Sequence, residues 1–179
     1  MSKTINLVLS SDSIQNAVNK LEQYKQTILK KCEQLVSELA DEGITIAESN
    51  VGNFGRYIIF TKEIKPEANG CAAIIFATET GQIKSQWLTS DGIKSADVSP
   101  LLMAEFGSGQ RAQNPLNVPN VGQGTFPEQT HAFDREGWYW RDLNGELHHS
   151  YGITPTMPIY KAYVNTEQNI LKKAEGVFK

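Results

Sequence analysis

An α+β fold is what this sequence predicts, and three observations predict it. One apolar stripe runs through residues 14–39 at alternating spacings of four and three. A succession of short β-branched and aromatic runs follows at residues 44–88. Proline-led segments near residues 100 and 158 each open a helix-patterned stretch. The predicted architecture is a long N-terminal helix packed on an antiparallel β-meander, then a short central helix, an extended Gly/Pro-rich loop with a hairpin, and a C-terminal helix. All of it forms a single domain over residues 1–179, with a flexible insertion at 108–135.

The elements follow in order. Ile5, Leu7 and Leu9 alternate with polar or small neighbours, as in a short strand or extended arm. Ser10, Ser11, Asp12 and Ser13 offer N-cap side chains. Ile14, Val18, Leu21, Lys25, Ile28, Cys32, Leu35 and Leu39 then fall on one helix face. Gly43 supplies a left-handed stop, so the helix is predicted over 12–42, about 45 Å at 1.5 Å per residue. Such a helix exceeds a small core: it either lies across a sheet or overhangs and packs on a neighbouring subunit through its narrow seam. Residues 44–48, 57–61, 71–77 and 83–88 read as strands, with Asn53-Phe54-Gly55 and Glu79-Thr80-Gly81-Gln82 as turns and Ser90-Asp91-Gly92 ending the meander. The run Tyr57–Thr61 is apolar on both faces, as in a central strand.

Ser99 before Pro100 is an N-cap followed by proline at the first helical position, and Gly107 stops the short helix 100–106. Residues 108–130 carry almost no periodicity and are rich in Gly, Pro, Asn and Gln. Asn144-Gly145 between Trp138–Asp142 and Glu146–His149 is a hairpin signal. Pro155 and Pro158 lead into the last helix, whose apolar face is assigned to Ile159, Tyr163, Ile170, Ala174 and Val177.

Composition narrows the function. Hydrophobic residues make up 40% and charged residues 21% of the 179, which excludes a wholly disordered chain. No apolar run reaches the roughly 20 residues that span a bilayer, so no membrane association is expected. The N-terminus lacks the pattern of a secretory signal, which points to a cytoplasm. A net charge of −3 disfavours specific nucleic-acid binding. Cys32 and Cys71 lack metal or redox spacing and read as small buried hydrophobes.

Chemistry-bearing constellations are sparse. His131, Asp134, Glu136, His148 and His149 have the residue types of a metal site, but adjacent His148 and His149 point to opposite faces of a strand. No GxSxG elbow is present, and Gly107–Gly109 and Gly122–Gly124 lack phosphate-loop spacing. Trp138 and Trp140 share one face of the hairpin, as core residues or as a contact surface.

Ala104-Glu105-Phe106-Gly107-Ser108-Gly109 resembles the acidic–aromatic–Gly–(Ser/Thr)–Gly signature of the minor tail-component, or tail-completion, proteins of long-tailed bacteriophages. Gly122–Pro127, His131-Ala132-Phe133, Gly137-Trp138-Tyr139 and His148-His149-Ser150 are similar to the insertion of the Gram-positive-phage type. Gly152–Ala162 resembles the closing turn. The resemblance is specific over 104–162, and the meander at 57–88 is longer than the family pattern. It implies a virion structural protein at the neck or upper tail, present in the host cytoplasm during assembly. It further implies a ring of copies of itself, hexameric in the particle, that docks to head–tail connector and tail terminator or tail-tube proteins. It implies no catalytic residue and no cofactor. The candidate interaction residues are Glu105, Phe106, Gly107, Gly109, Arg111, Phe126, Trp138, Trp140, His148 and Tyr160. The alternative reading is a small metal- or ligand-binding enzyme using the His/Trp-rich region 131–149.

Overall fold

A computed structural model describes residues 10–68, 70–119 and 134–179. The short strand expected at Ile5–Leu9 lies outside them, as do Phe126, the glycines at 122 and 124, and His131. The fold is α+β: a long N-terminal helix, antiparallel sheets, a short central helix and a C-terminal helix.

Helix α1 spans Ser11–Asn50 and starts where the sequence places it, with the Ser10 hydroxyl accepting from the Ser13 amide at 3.3 Å. It does not stop at Gly43. It continues through Ile44–Glu48, the stretch expected to be a strand, and ends at Asn50. The reason is tertiary. A Cβ on Gly43 would lie 2.8 Å from Ile75 Cδ1 and 3.9 Å from the Ala162 Cβ, so glycine here permits close approach of sheet and C-terminal helix. That packing outweighs the roughly 1 kcal/mol propensity cost of a mid-helix glycine and the mild cost of β-branched neighbours. At 40 residues the helix is about 60 Å long.

A 3₁₀ turn at Gly52–Tyr57, where a simple turn is expected, leads to β1 (Ile58–Glu67). This strand pairs antiparallel with β2 (Gly70–Glu79) in a register from Ile58↔Glu79 to Glu67↔Gly70. The run expected to be central is therefore one arm of a two-stranded sheet. Its inner face, Ile58 and Phe60, is buried under α1, while Ile59, Ile74 and Phe76 are exposed on the other.

β2 and β3 (Ile83–Thr89) are not paired, so Glu79–Gln82 is a crossing and not a hairpin turn. Glu79 is instead drawn to the start of α2 (Pro100–Phe106): its carboxylate accepts from the Leu101 amide at 3.0 Å and from the Ser99 hydroxyl. The turn at Ser90–Asp91 does not end the strands. It folds β3 onto β4 (Gly92–Val98), which the sequence reading leaves out. These two join β5 (Trp138–Arg141) and β6 (Leu147–Ser150) in a four-stranded sheet of order β4-β3-β5-β6. The strands predicted as one meander are thus divided between two antiparallel sheets.

Helix α3 (Pro158–Phe178) lies antiparallel along α1. Lys161 Nζ donates to Asn50 Oδ1 at 2.9 Å, Lys173 pairs with Glu42 at 2.8 Å, and Lys31 sits over the Phe178 ring. The face assigned from sequence is only half inward. Ala174 and Val177 are half-buried, but Ile159, Tyr163 and Ile170 are exposed, and the buried positions are Pro158 and Ala162. Small side chains face α1 because the helices approach closely at Gly43. The core gathers Ala47, Val51, Ile58, Phe60, Ala104 and Ala162. Both cysteines are half-buried and free.

α3 ends beside Lys31, so the first part of α1 reaches past it. Residues 11–27, about 25 Å of helix, are exposed apart from Ser13 and Ala17. Ile14, Val18 and Leu21 on the predicted stripe are 48%, 52% and 56% exposed.

Candidate functional site

Two segments far apart in sequence, 104–110 and 151–160, are laced together at the centre of the molecule. Ala104 O accepts from the amides of Thr156 and Met157 at 2.8 and 3.0 Å. The Ser108 amide donates to Ile153 O at 2.9 Å, and the Ile153 amide returns a bond to Ser108 Oγ at 3.0 Å. The Gln110 amide donates to Tyr151 O at 3.1 Å.

Glu105 is the centre of this clasp. It is 7% exposed, and its two carboxylate oxygens accept from the amides of Ile159 and Tyr160, each at 2.8 Å. Those amides belong to the first turn of α3, whose own N-cap residue, Met157, gives no side-chain bond. α2 therefore caps α3 from outside with a negative charge at the positive end of the helix. Burial pushes the Glu105 carboxyl above its ordinary range, while the two amides and nearby Lys161 pull the other way.

The candidate residues fall into two groups. Glu105, Gly107, Gly109 and the Tyr160 backbone lie in the clasp. A Cβ on Gly109 would lie 2.6 Å from Trp138 Cζ3, so Trp138 seats its ring against this glycine. Phe106 is half-buried beside them, and Arg111, exposed, lies over the Tyr151 ring at 5.9 Å. Trp140 and His148 form the second group, in the β5–β6 hairpin. The register Trp140↔His148 stacks their rings at 4.7 Å, and Tyr139↔His149 stacks the opposite pair at 4.4 Å. The two histidines do point to opposite faces. His149 Nε2 bonds Glu136 O at 2.6 Å. Asp134 and Glu136 are exposed and do not join His148.

The hairpin turn is built on Asp142. Its Oδ1 accepts from the amides of Asn144 and Glu146 at 3.0 and 2.9 Å, and Arg141 donates to Gly145 O at 2.8 Å. Desolvation pushes the Asp142 carboxyl up, but the Glu146 amide, His148 and the Asn144 amide outweigh it and hold the group below its ordinary range. The turn brings ligand-type atoms of Asp142, Glu146 and His148 within 4.8 Å of one another. Sequence reasoning names only His148 of these three. The usable signal is the Asn-Gly turn, which sets Asp142 and Glu146 at its base beside the first residues of β6.

The surface depressions are open grooves. One of about 400 Å³ lies between α1 and α3, lined by Gln34, Glu38, Lys172 and Lys173; another runs beside Ile46, Tyr160 and Val164. Among the described residues, no helix is long and apolar enough to cross a membrane. No protein-family model matches the chain, and no curated protein and no solved structure is matched by it.

Proposed function

We propose that this chain is a structural protein of a long-tailed bacteriophage particle, acting at the head–tail junction or upper tail by docking and not by catalysis. It forms a ring of its own copies, hexameric in the virion, and bridges the connector to the tail terminator or tail-tube protein. The observation that carries this reading is the ordered resemblance from Ala104 to Ala162. Exposed apolar residues on separate elements are consistent with such work: Ile14, Val18 and Leu21 on the first turns of α1, Ile59, Ile74 and Phe76 on β1–β2, and Ile159, Tyr163 and Ile170 on α3. A heterologous ring needs two different faces per subunit.

Immunogold or cryo-EM of the particle is expected to locate the chain at the neck or upper tail; its absence from purified virions overturns the reading. Leu21→Ser is expected to shift the unfolding free energy of the isolated chain by no more than about 0.5 kcal/mol, since the side chain is exposed. The same variant is expected to reduce the yield of joined particles in a complementation assay.

A second reading, a small metal- or ligand-binding enzyme using 131–149, draws on the grouping of Asp142, Glu146 and His148. Turnover of a substrate that is lost on changing one of these side chains would favour it.

A further inference from the structure

We propose that the β5–β6 turn is a divalent-metal site, best suited to zinc, with Asp142 Oδ2, a Glu146 carboxylate oxygen and His148 Nε2 as its three protein ligands. The inference is independent of the phage reading, since a metal here would pin a hairpin in any protein.

The first argument is separation. His148 Nε2 lies 3.5 Å from Asp142 Oδ2, longer than a nitrogen–oxygen hydrogen bond of about 2.7–3.2 Å. Two ligands of one tetrahedral zinc, each bonded at about 2.0–2.1 Å, stand roughly 3.4 Å apart. The pair is thus spaced as two ligands are, and Glu146 supplies a third oxygen with all three atoms within 4.8 Å of one another.

The second argument is the state of the imidazole nitrogen. His148 Nε2 itself is shielded from solvent, within a side chain 40% exposed, and meets Asp142 Oδ2 only at 3.5 Å, without a well-formed hydrogen bond. A shielded polar atom with so long a contact is poorly satisfied, and a cation bonded to both groups would replace that contact. The ring is not free to turn away, because Trp140 stacks on it across the strand pair.

The third is the ligand set. One imidazole with two carboxylates leaves a fourth tetrahedral position for water, a set that suits zinc and nearby transition ions; magnesium and calcium prefer oxygen alone. The Asp142 carboxylate is oriented from behind: its Oδ1 holds the amides of Asn144 and Glu146, while Oδ2 meets Asn144 Nδ2 at 3.4 Å and His148 Nε2 at 3.5 Å. Outer contacts of this kind fix a ligand's direction. The metal would lock the turn between β5 and β6, and with it the strand that seats Trp138 against Gly109.

The test is calorimetric titration of the chelator-treated full chain with zinc sulfate alone, alongside calcium chloride. One zinc per chain is expected, with a rise in melting temperature on zinc addition and no comparable binding of calcium. Glu146→Gln changes an exposed side chain and leaves the fold intact; it and His148→Ala are each expected to weaken zinc binding by about tenfold or more. His149→Ala, on the opposite face, is expected to retain it. No saturable zinc binding overturns the proposal. So does undiminished binding by Glu146→Gln and His148→Ala, loss of binding on changing His149, or calcium bound as tightly as zinc.

Discussion

Glu105→Ala is expected to destabilise the chain by about 2–3 kcal/mol in urea unfolding, a large loss from a typical total of about 5–15 kcal/mol. Two effects combine. The amides of Ile159 and Tyr160 lose their acceptor at the buried end of α3, and the α2–α3 contact loses the carboxylate that caps that helix. Against this, removing a buried charge relieves its desolvation, which keeps the expected value below the sum of two charge-assisted bonds. Glu105→Gln preserves shape but presents an NH₂ group to one of the two amides, so it is expected to recover only part of the loss.

The same residue fixes a pH dependence. With burial as the leading cause, its carboxyl in the folded chain titrates above the reference value of 4.5. The folded state then binds the proton more tightly than the unfolded state, so this group's contribution is greatest at or below the unfolded value and declines as pH rises through the folded one. The stability gap between the native chain and Glu105→Ala is accordingly expected to widen as pH falls from neutral toward that reference value. A gap that narrows instead would mean that the amide bonds, which favour the anion, outweigh burial.

Local signals carried the parts of the fold that were legible in the sequence. The Ser10 cap, the Ser99-Pro100 start and Gly107 stop of α2, and the Asn144-Gly145 turn each depend on residues within a few positions of one another. What was not legible depends on distant partners. Gly43 reads as a helix stop until Ile75 and Ala162 are seen to close on it. The strands at 57–88 look like one meander because nothing local records that Glu79 is bound to the start of α2, which takes β2 away from β3. The exposed side of α3 carries Ile159, Tyr163 and Ile170 while its most buried positions are Pro158 and Ala162, because α1 comes so near at Gly43. At the candidate site, Glu105, Gly107 and Gly109 stand out in the sequence as a motif, but only the folded chain joins them to Ile153–Tyr160. His148 stands out as a ligand type, while Asp142 and Glu146 do so only once the turn is closed.

Gly107→Ala is expected to be the more damaging change, at about 3–5 kcal/mol. Gly107 has φ 68° and ψ −159°, a region entered essentially by glycine alone, and strain there costs on the order of 1–3 kcal/mol for another residue. A side chain also has nowhere to go. Its Cβ would fall against Ile153 O, 2.7 Å from Pro155 Cδ and 2.9 Å from Pro155 N. The backbone cannot shift to make room, because the Gly107 amide is tied to Met103 O at 3.0 Å and the next amide to Ile153 O at 2.9 Å. Overpacking of this kind adds roughly 1–3 kcal/mol. Gly92→Ala separates the two contributions. Gly92 also has a positive φ, 112°, but nothing lies within 4 Å of its would-be Cβ. Its variant is expected to lose only the strain, about 1–2 kcal/mol, and to remain folded. If the two variants unfold at the same urea concentration, the contact of 104–110 with 151–157 is not tight, and the clasp is not what holds α2 and α3 in place. If Gly107→Ala alone collapses, the signature that resembles the tail proteins is an internal fastening. The docking faces must then be sought on the exposed apolar residues of α1, β1–β2 and α3.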